Sequence, residues 1–133
     1  MEHLLHYVWK HKLFPLQILQ TTEGLRVEVI DSGLQNSDAG PDFFNAKLKI
    51  DGTLWVGNIE IHTHSSDWYR HGHNNDKAYD SVILHVVEEA DTEVTRSDGE
   101  TIPQLRLTCP ENIQTHYHEL CRADQDRKST RLN

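Results

Sequence analysis

The first apolar positions of the chain recur at spacings of three to five residues over residues 2–14. Such a period lines them along one face of a helix, so the sequence predicts an amphipathic helix at this end. Pro15 limits the helix, because proline lacks the backbone N–H that a helix interior requires. The apolar positions are Leu4, Leu5, Val8, Trp9 and Leu13.

Alternation with a period of two follows and predicts three strands. A first strand runs from Val27 to Ile30, and residues 34–41 are so rich in turn formers that they predict a loop. Two longer strands, Phe43 to Ile50 and Thr53 to His62, flank Asp51-Gly52. An Asp-Gly pair between alternating apolar positions is a strong hairpin signal, so we expect these two strands to be antiparallel neighbours.

The second half of the chain predicts a short helix, a buried strand, a hairpin and a final helix. Ser65-Ser66-Asp67 is a helix-start signal, with Trp68 expected as a core anchor. The nearly continuous apolar run within residues 81–88 is typical of a strand covered on both faces. Residues 93–107 predict a hairpin and residues 110–122 a helix. The order α-β-β-β-α-β plus a C-terminal hairpin and helix predicts an α+β (α/β-like) domain, with a mixed central β-sheet flanked by helices.

The composition favours one small globular domain. The chain has 133 residues, of which 36% are hydrophobic, and a formal net charge of −8. That negative charge argues against a protein that coats nucleic acid non-specifically, because phosphate binding needs a surplus of Lys and Arg. No run approaches the roughly 20 apolar residues of a membrane span, so we expect no membrane association. Because the N-terminus lacks a signal-peptide pattern, and Cys109 and Cys121 make a poor disulfide framework, we expect a cytoplasmic protein with reduced thiols.

The last eight residues, 126–133, form a string that looks foreign to the rest of the chain. Asp-Arg-Lys-Ser-Thr-Arg-Leu-Asn resembles the translated read-through of a sequencing adapter. We therefore expect residues 1–125 to form a single domain, a fragment of a longer protein, and residues 126–133 to be a non-native tail.

The candidate functional residues lie on the central hairpin. Pro41-Asp42 opens one strand, and Glu60-Ile61-His62 closes the next. Both acidic residues lie beyond apolar neighbours at the hairpin end away from the turn, where a carboxylate pair would repel unless a cation neutralised it. Asp42, Glu60 and His62 are thus the candidate catalytic residues, and Asp42 and Glu60 the candidate ligands of a divalent metal.

Whether the carboxyl groups meet depends on the register of the hairpin. A two-residue Asp51-Gly52 turn would set Asp42 opposite Ile61, with Glu60 on the reverse face. A three-residue loop would set Asp42 opposite Glu60, and a bulge near Gly57 could also repair the register. The sequence leaves these alternatives open.

The order Pro-Asp, hairpin, Glu-x-His resembles the signature of the PD-(D/E)xK nuclease superfamily, whose core runs helix, three strands, helix, strand. Residues 2–88 follow that order. The chain up to about residue 125 also resembles an uncharacterised bacterial family, domain of unknown function 2851. The matching strings are Asn36-Ser37-Asp38-Ala39-Gly40-Pro41-Asp42-Phe43-Phe44-Asn45-Ala46, Gly57-Asn58-Ile59-Glu60-Ile61-His62, Ser66-Asp67-Trp68, His71-Gly72-His73 and Leu84-His85-Val86-Val87.

The nuclease resemblance implies a restriction-endonuclease-like core and phosphodiester hydrolysis with magnesium or manganese. It implies that Asp42 and Glu60 ligate the metal, that the carbonyl of Ile61 adds a ligand, and that Glu2 corresponds to the acidic residue of the first helix. His62 stands where the superfamily has its lysine. An imidazole can act as a base or a ligand, and it favours softer metals such as manganese or zinc.

Two alternatives to a nuclease remain open from the sequence. The chain could be a catalytically inactive scaffold or interaction module, or a His-rich zinc or iron protein in which His62, His64 and Asp67 are ligands. For most histidines we expect a structural or exposed role, and those near the chain ends are expected at the surface. These are His3, His6, His11, His116 and His118.

Nucleic acid is the candidate partner, through a local basic groove. Lys47 and Lys49 alternate along one face of a predicted strand and supply its positive charge. Further basic residues could join them, namely Lys10, Lys12, Arg70 and Lys77.

Overall fold

The computed structural model describes residues 2–14, 18–109 and 111–130, with side chains of the last helix described at residues 111–119 and 122. Pro15 and residues 131–133 of the expected tail lie outside the described residues. In chain order the elements are α1 (Glu2–Lys10), β1 (Val27–Asp31), β2 (Leu34–Gln35), β3 (Phe43–Ile50), β4 (Thr53–His64), α2 (Asp67–Arg70), β5 (Val82–Glu89), β6 (Gln104–Arg106) and α3 (Glu111–Thr130).

Within the described residues, the strands form one mixed six-stranded sheet of order β1-β3-β4-β5-β6, with β2 also paired to β3. The β1, β2 and β4 pairings with β3 are antiparallel, whereas β4–β5 and β5–β6 are parallel. This confirms the α+β class with a mixed central sheet. The loop predicted for residues 34–41 is wrong at Leu34–Gln35, because this pair adds a short strand to β3.

Helix α1 covers one face of the sheet. Its buried residues Leu5, Val8 and Trp9 pack in one apolar cluster with Leu48 of β3 and Ile61 of β4. The helix is four residues shorter than the apolar period predicts. Lys12 adopts a left-handed φ of 53°, and the N–H groups of Lys12 and Leu13 donate to the carbonyls of Trp9 and Val8. This is the hydrogen-bond pattern of a Schellman cap, which closes the helix.

The opposite face of the sheet is covered by α2 and the segments around it. Strand β5 is buried from Val82 to Val87, as predicted for a strand covered on both sides. Trp68 of α2 is fully buried, which confirms it as a core anchor, and its Nε1 donates to the carbonyl of Thr95. The predicted C-terminal hairpin is reduced to a turn with one antiparallel bridge between Thr95 and Thr101. The second arm continues as β6, which pairs in parallel with β5.

The central hairpin combines a two-residue turn with a bulge. Asp51 and Gly52 have positive φ values of 51° and 80°, and Ile50 pairs with Thr53. Further along, Ala46 pairs with Gly57 but Phe43 pairs with Ile59, so β3 carries one extra residue between these pairs. Asn45 absorbs the extra residue with a left-handed φ of 57°, a conformation that asparagine tolerates better than most residues. Of the alternatives that the sequence left open, the structure has the two-residue turn together with a register-repairing bulge, which lies on β3 beside the residue that pairs with Gly57.

The last helix is longer than the sequence predicts. Helix α3 continues beyond Arg122 and ends at Thr130. The expected boundary at residue 125 and the non-native origin of residues 126–133 stay predictions. Among the described residues, no helix has the length and apolar character needed to cross a membrane.

Candidate functional site

Asp42 and Glu60 meet at the end of the hairpin away from the turn. The backbone N–H of Asp42 donates to Oε1 of Glu60 over 3.2 Å, and the N–H of Ile61 donates to Oδ2 of Asp42 over 2.8 Å. The bulge at Asn45 shifts the pairing by one residue, which sets Asp42 opposite Glu60. Of the arrangements that the sequence left open, the structure has the one in which Asp42 and Glu60 lie together.

The carboxyl group of Glu60 is held in an environment that disfavours its charge. The residue is only 4% exposed. Burial raises the pKa of Glu60 to about 10, and the negative field of Asp42 acts in the same direction. Glu60 therefore holds a proton at neutral pH in the metal-free protein. Burial and Asp42 likewise raise the pKa of Glu2.

Two neutral imidazoles border the other oxygen of Glu60. Nε2 of His73 lies 2.8 Å from Oε2 of Glu60, and Nε2 of His62 lies 3.3 Å from the same oxygen. Burial and neighbouring histidines lower the pKa of His62 to about 2 and that of His73 to about 4. With the acid protonated and the bases neutral, these contacts are not ion pairs.

A chain of hydrogen bonds behind His62 sets the orientation of its ring. Nε2 of Gln104 donates to the carbonyl of Thr92 over 2.8 Å, which turns Oε1 of Gln104 toward Nδ1 of His85 at 3.0 Å. An amide oxygen only accepts, so Nδ1 of His85 carries the proton. Burial lowers the pKa of His85 to about 4, so the ring is neutral and its Nε2 accepts from Nδ1 of His62 at 2.8 Å. The lone pair of His62 Nε2 is thereby left facing Glu60.

Three histidines converge beside this lone pair. One nitrogen from each of His62, His71 and His73 lies within 4.8 Å of the others. His73 is 6% exposed, and Tyr79 stacks on its ring with 3.6 Å between centroids. Neither ring nitrogen of His73 makes a regular hydrogen bond among the described residues, although its Nε2 lies 2.8 Å from Oε2 of Glu60.

A second group of side chains that could ligate a metal ion includes Asp42. One ligating atom from each of Glu2, His6 and Asp42 lies within 4.8 Å of the others. Nε2 of His6 is 3.6 Å from Oδ2 of Asp42 and, within the described part of the chain, is buried without a hydrogen-bond partner. The expectation that His6 is a surface residue is wrong, because α1 turns this side chain toward the hairpin.

The part of the sequence that forms this sheet and its flanking helices matches a known family model. A family model described as a protein of unknown function (DUF2851) matches residues 2–130. The chain belongs to this family. No curated protein and no solved structure matches it. For this DUF2851 chain, the likeness to PD-(D/E)xK nucleases stays an expectation drawn from the Pro-Asp and Glu-x-His positions.

The proposed set of His62, His64 and Asp67 is not brought together in this member of DUF2851. Nε2 of His64 lies 2.9 Å from Glu89. The carboxyl group of Asp67 accepts from the N–H of His64 and from Arg70, so it holds the start of α2. His62 meets His71 and His73 instead.

The tertiary structure adds to the site several residues to which sequence reasoning gave a structural or exposed role, or no role. The string His71-Gly72-His73 was a detectable signal, since two histidines flanking a glycine can turn toward one point. Gln104 carried no signal, because its place depends on the parallel pairing of β6 with β5.

Proposed function

We propose that this protein is a metal-dependent phosphodiester hydrolase whose centre is the Asp42–Glu60 pair. The observation that carries the proposal is the convergence of these two side chains, from separate strands, in a buried environment. Two carboxyl groups in contact cannot both ionise without a compensating charge. A proton supplies that compensation in the metal-free protein, and a divalent cation would supply it in the active one.

The residues at this centre fit a divalent cation. Asp42 and Glu60 offer carboxylate oxygens, and the buried, unpartnered Nε2 of His6 offers a nitrogen within the described residues. Carboxylates suit magnesium and manganese, and the presence of imidazoles favours manganese. The carbonyl of Ile61 is a further candidate ligand. A cation held there would act as a Lewis acid on a phosphodiester.

His62 supports the same chemistry from the position of the nuclease lysine. Its lone pair on Nε2 faces Glu60, because the hydrogen bond from Nδ1 to His85 fixes the other nitrogen as the donor. Through that atom His62 can orient an attacking water, accept its proton, or ligate a metal ion.

Nucleic acid is the proposed substrate class. Lys47 and Lys49 are exposed along β3, the strand that follows directly after Asp42. Positive side chains on that strand would attract a phosphate backbone toward its acidic end. The alternative of an inactive scaffold would be favoured by Asp42 and Glu60 on opposite faces of the sheet, and the observed contact between them removes that support.

Plasmid nicking tests the proposal. The purified chain is incubated with supercoiled DNA and with bis(p-nitrophenyl) phosphate in Mn²⁺ or Mg²⁺, with EDTA as the metal-free arm. We expect Asp42→Asn and Glu60→Gln to reduce cleavage by about 100-fold or more, because the metal's contribution is several kcal/mol.

Asp38→Asn is the matched control, since Asp38 is an exposed acid in the loop before the same strand. Thermal unfolding of each variant checks that it is folded. Cleavage that ignores EDTA, or that persists unchanged in both site variants, contradicts the proposal.

A further inference from the structure

We infer that His62, His71 and His73 form a second metal site, specific for a transition metal such as Zn²⁺, which shares the carboxyl group of Glu60 with the acidic site. The inference stands on its own observations and does not require the protein to be a hydrolase.

The three imidazoles come from two different segments. His62 projects from β4, whereas His71 and His73 flank the left-handed Gly72 after α2. Their ligating atoms lie within 4.8 Å of one another, which is close enough for small side-chain movements to set all three on one ion.

The contacts behind His62 are those typical of a histidine that binds a metal. Metal-binding histidines nearly always donate their other N–H to an acceptor, which fixes the tautomer and the plane of the ring. His62 does so toward His85, and His85 is held in turn by Gln104. Such a relay keeps the Nε2 lone pair of His62 directed at the site.

His73 supplies an independent observation. It is more than nine-tenths buried, yet neither ring nitrogen has a hydrogen-bond partner within the described residues. A buried polar atom without a partner lowers stability by about 1–3 kcal/mol. An ion bound at Nε2 would satisfy this atom, and it would also account for the short 2.8 Å approach of that nitrogen to Glu60.

Glu60 connects the histidine group to the acidic group. Its Oε1 accepts from Asp42, while its Oε2 faces His62 and His73. A carboxylate with one oxygen toward each group can bridge two ions, as in the two-metal centres of many hydrolytic enzymes.

The donor set decides the class of ion. Imidazole nitrogens suit zinc, iron, copper and nickel, whereas magnesium prefers oxygen ligands. Three imidazoles with one carboxyl oxygen therefore favour Zn²⁺ at the histidine group, and Mn²⁺ or Mg²⁺ remains suited to the carboxylates of the acidic group.

Metal titration of the stripped, purified chain tests this site. Zn²⁺ binding is followed by calorimetry, and Co²⁺ binding by its visible absorption, which reports nitrogen ligation. His71→Ala is the decisive variant, because His71 is exposed and its loss leaves the core intact. We expect about 100-fold weaker Zn²⁺ binding in His71→Ala, which corresponds to about 2.7 kcal/mol, and loss of the cobalt band.

His64→Ala is the matched control, since His64 lies on the same strand but contacts Glu89. We expect it to bind Zn²⁺ as the wild type does. Unchanged Zn²⁺ affinity in His71→Ala, or an equal loss in His64→Ala, overturns the histidine site.

Asp42→Asn separates this inference from the proposed hydrolase. It should weaken Mn²⁺ binding at the acidic group while His71→Ala still abolishes the cobalt band. A chain that binds Zn²⁺ through His71 but cleaves no phosphodiester supports the histidine site and contradicts the hydrolase. If the wild type cleaves DNA, and His71→Ala changes neither the cleavage nor the Zn²⁺ affinity, the hydrolase is supported and the histidine site is contradicted.

Discussion

The backbone N–H of Asp42 donates to Oε1 of Glu60 over 3.2 Å, across 18 positions of the sequence. The start of β3 is therefore tied to the buried part of β4 through an acid that holds a proton at neutral pH. This contact sets the electrostatics of the site.

The stability that protonated Glu60 contributes to the metal-free protein should be lost as the pH rises from about 4.5 to about 10, and the net stability should fall above pH 6.5, where the buried histidines no longer oppose this trend. Between these values folded Glu60, with its pKa raised to about 10 by burial, keeps a proton that the unfolded chain releases at its ordinary pKa of 4.5. Raising the pH therefore favours unfolding, by at most about 1.4 kcal/mol per pH unit for one such group. Urea unfolding in EDTA at several pH values measures this slope.

Glu60→Gln should flatten that alkaline decline, because the amide mimics the protonated acid. A saturating divalent cation should also flatten it in the wild type, since the cation replaces the proton. A wild-type decline that survives in Glu60→Gln would assign it to another group.

Acid should destabilise the metal-free protein through the buried histidines. Burial lowers the pKa values of His62, His73 and His85 below the ordinary 6.5. As the pH falls through 6.5, the unfolded chain binds protons that the folded rings refuse, so stability is lost until the folded pKa values are reached. His73→Gln should reduce the loss of unfolding free energy as the pH falls below 6.5. His116→Gln, at an exposed position, should not reduce it. Equal slopes in the two variants would contradict this account.

The bulge at Asn45 should be required for the site. Valine disfavours the left-handed φ of 57° found there, so we expect Asn45→Val to lower the free energy of unfolding by about 1–3 kcal/mol. Because the bulge brings Asp42 opposite Glu60, the same variant should weaken Mn²⁺ binding in calorimetry. Asn45→Gly, which adopts the conformation freely, is the control that should retain the metal affinity.

Gln104→Leu should weaken Zn²⁺ binding without touching a ligand. The change removes the acceptor that holds Nδ1 of His85, so the tautomer of His62 is no longer fixed. Loss of such an outer partner typically lowers metal affinity about 10–100-fold. Arg106→Gln, at an exposed position on the same strand, is the matched control, and calorimetry of both variants decides whether the relay matters.

Gly57→Ala should destabilise the sheet where β4 approaches β5. A Cβ at this position would lie 2.5 Å from Cγ2 of Ile83 and 2.9 Å from the carbonyl oxygen of Ser81. Overpacking of this kind lowers stability by about 1–3 kcal/mol. Gly24→Ala meets no atom within 4 Å, so only its backbone strain should appear in urea unfolding. A smaller loss for Gly57→Ala than for Gly24→Ala would contradict the steric account.

The sequence by itself determined the elements that depend on local periodicity and turn chemistry. The α1 helix, the Asp51-Gly52 turn and the continuous burial of β5 all follow from spacing within a short window. The positions of Asp42, Glu60 and His62 at one end of the hairpin follow in the same way. Local signals also placed Trp68 correctly in the core.

Only the tertiary structure decided the register of the hairpin and which other side chains surround those residues. A bulge adds one residue to a strand and shifts the alternation beyond it by one position. The pattern of apolar residues on either side of Asn45 did not show where that shift occurs. His73, His85 and Gln104 reach the site through parallel pairing and loop packing between segments far apart in sequence. Such contacts are selected by the burial of whole faces of the sheet, which no short window of sequence contains.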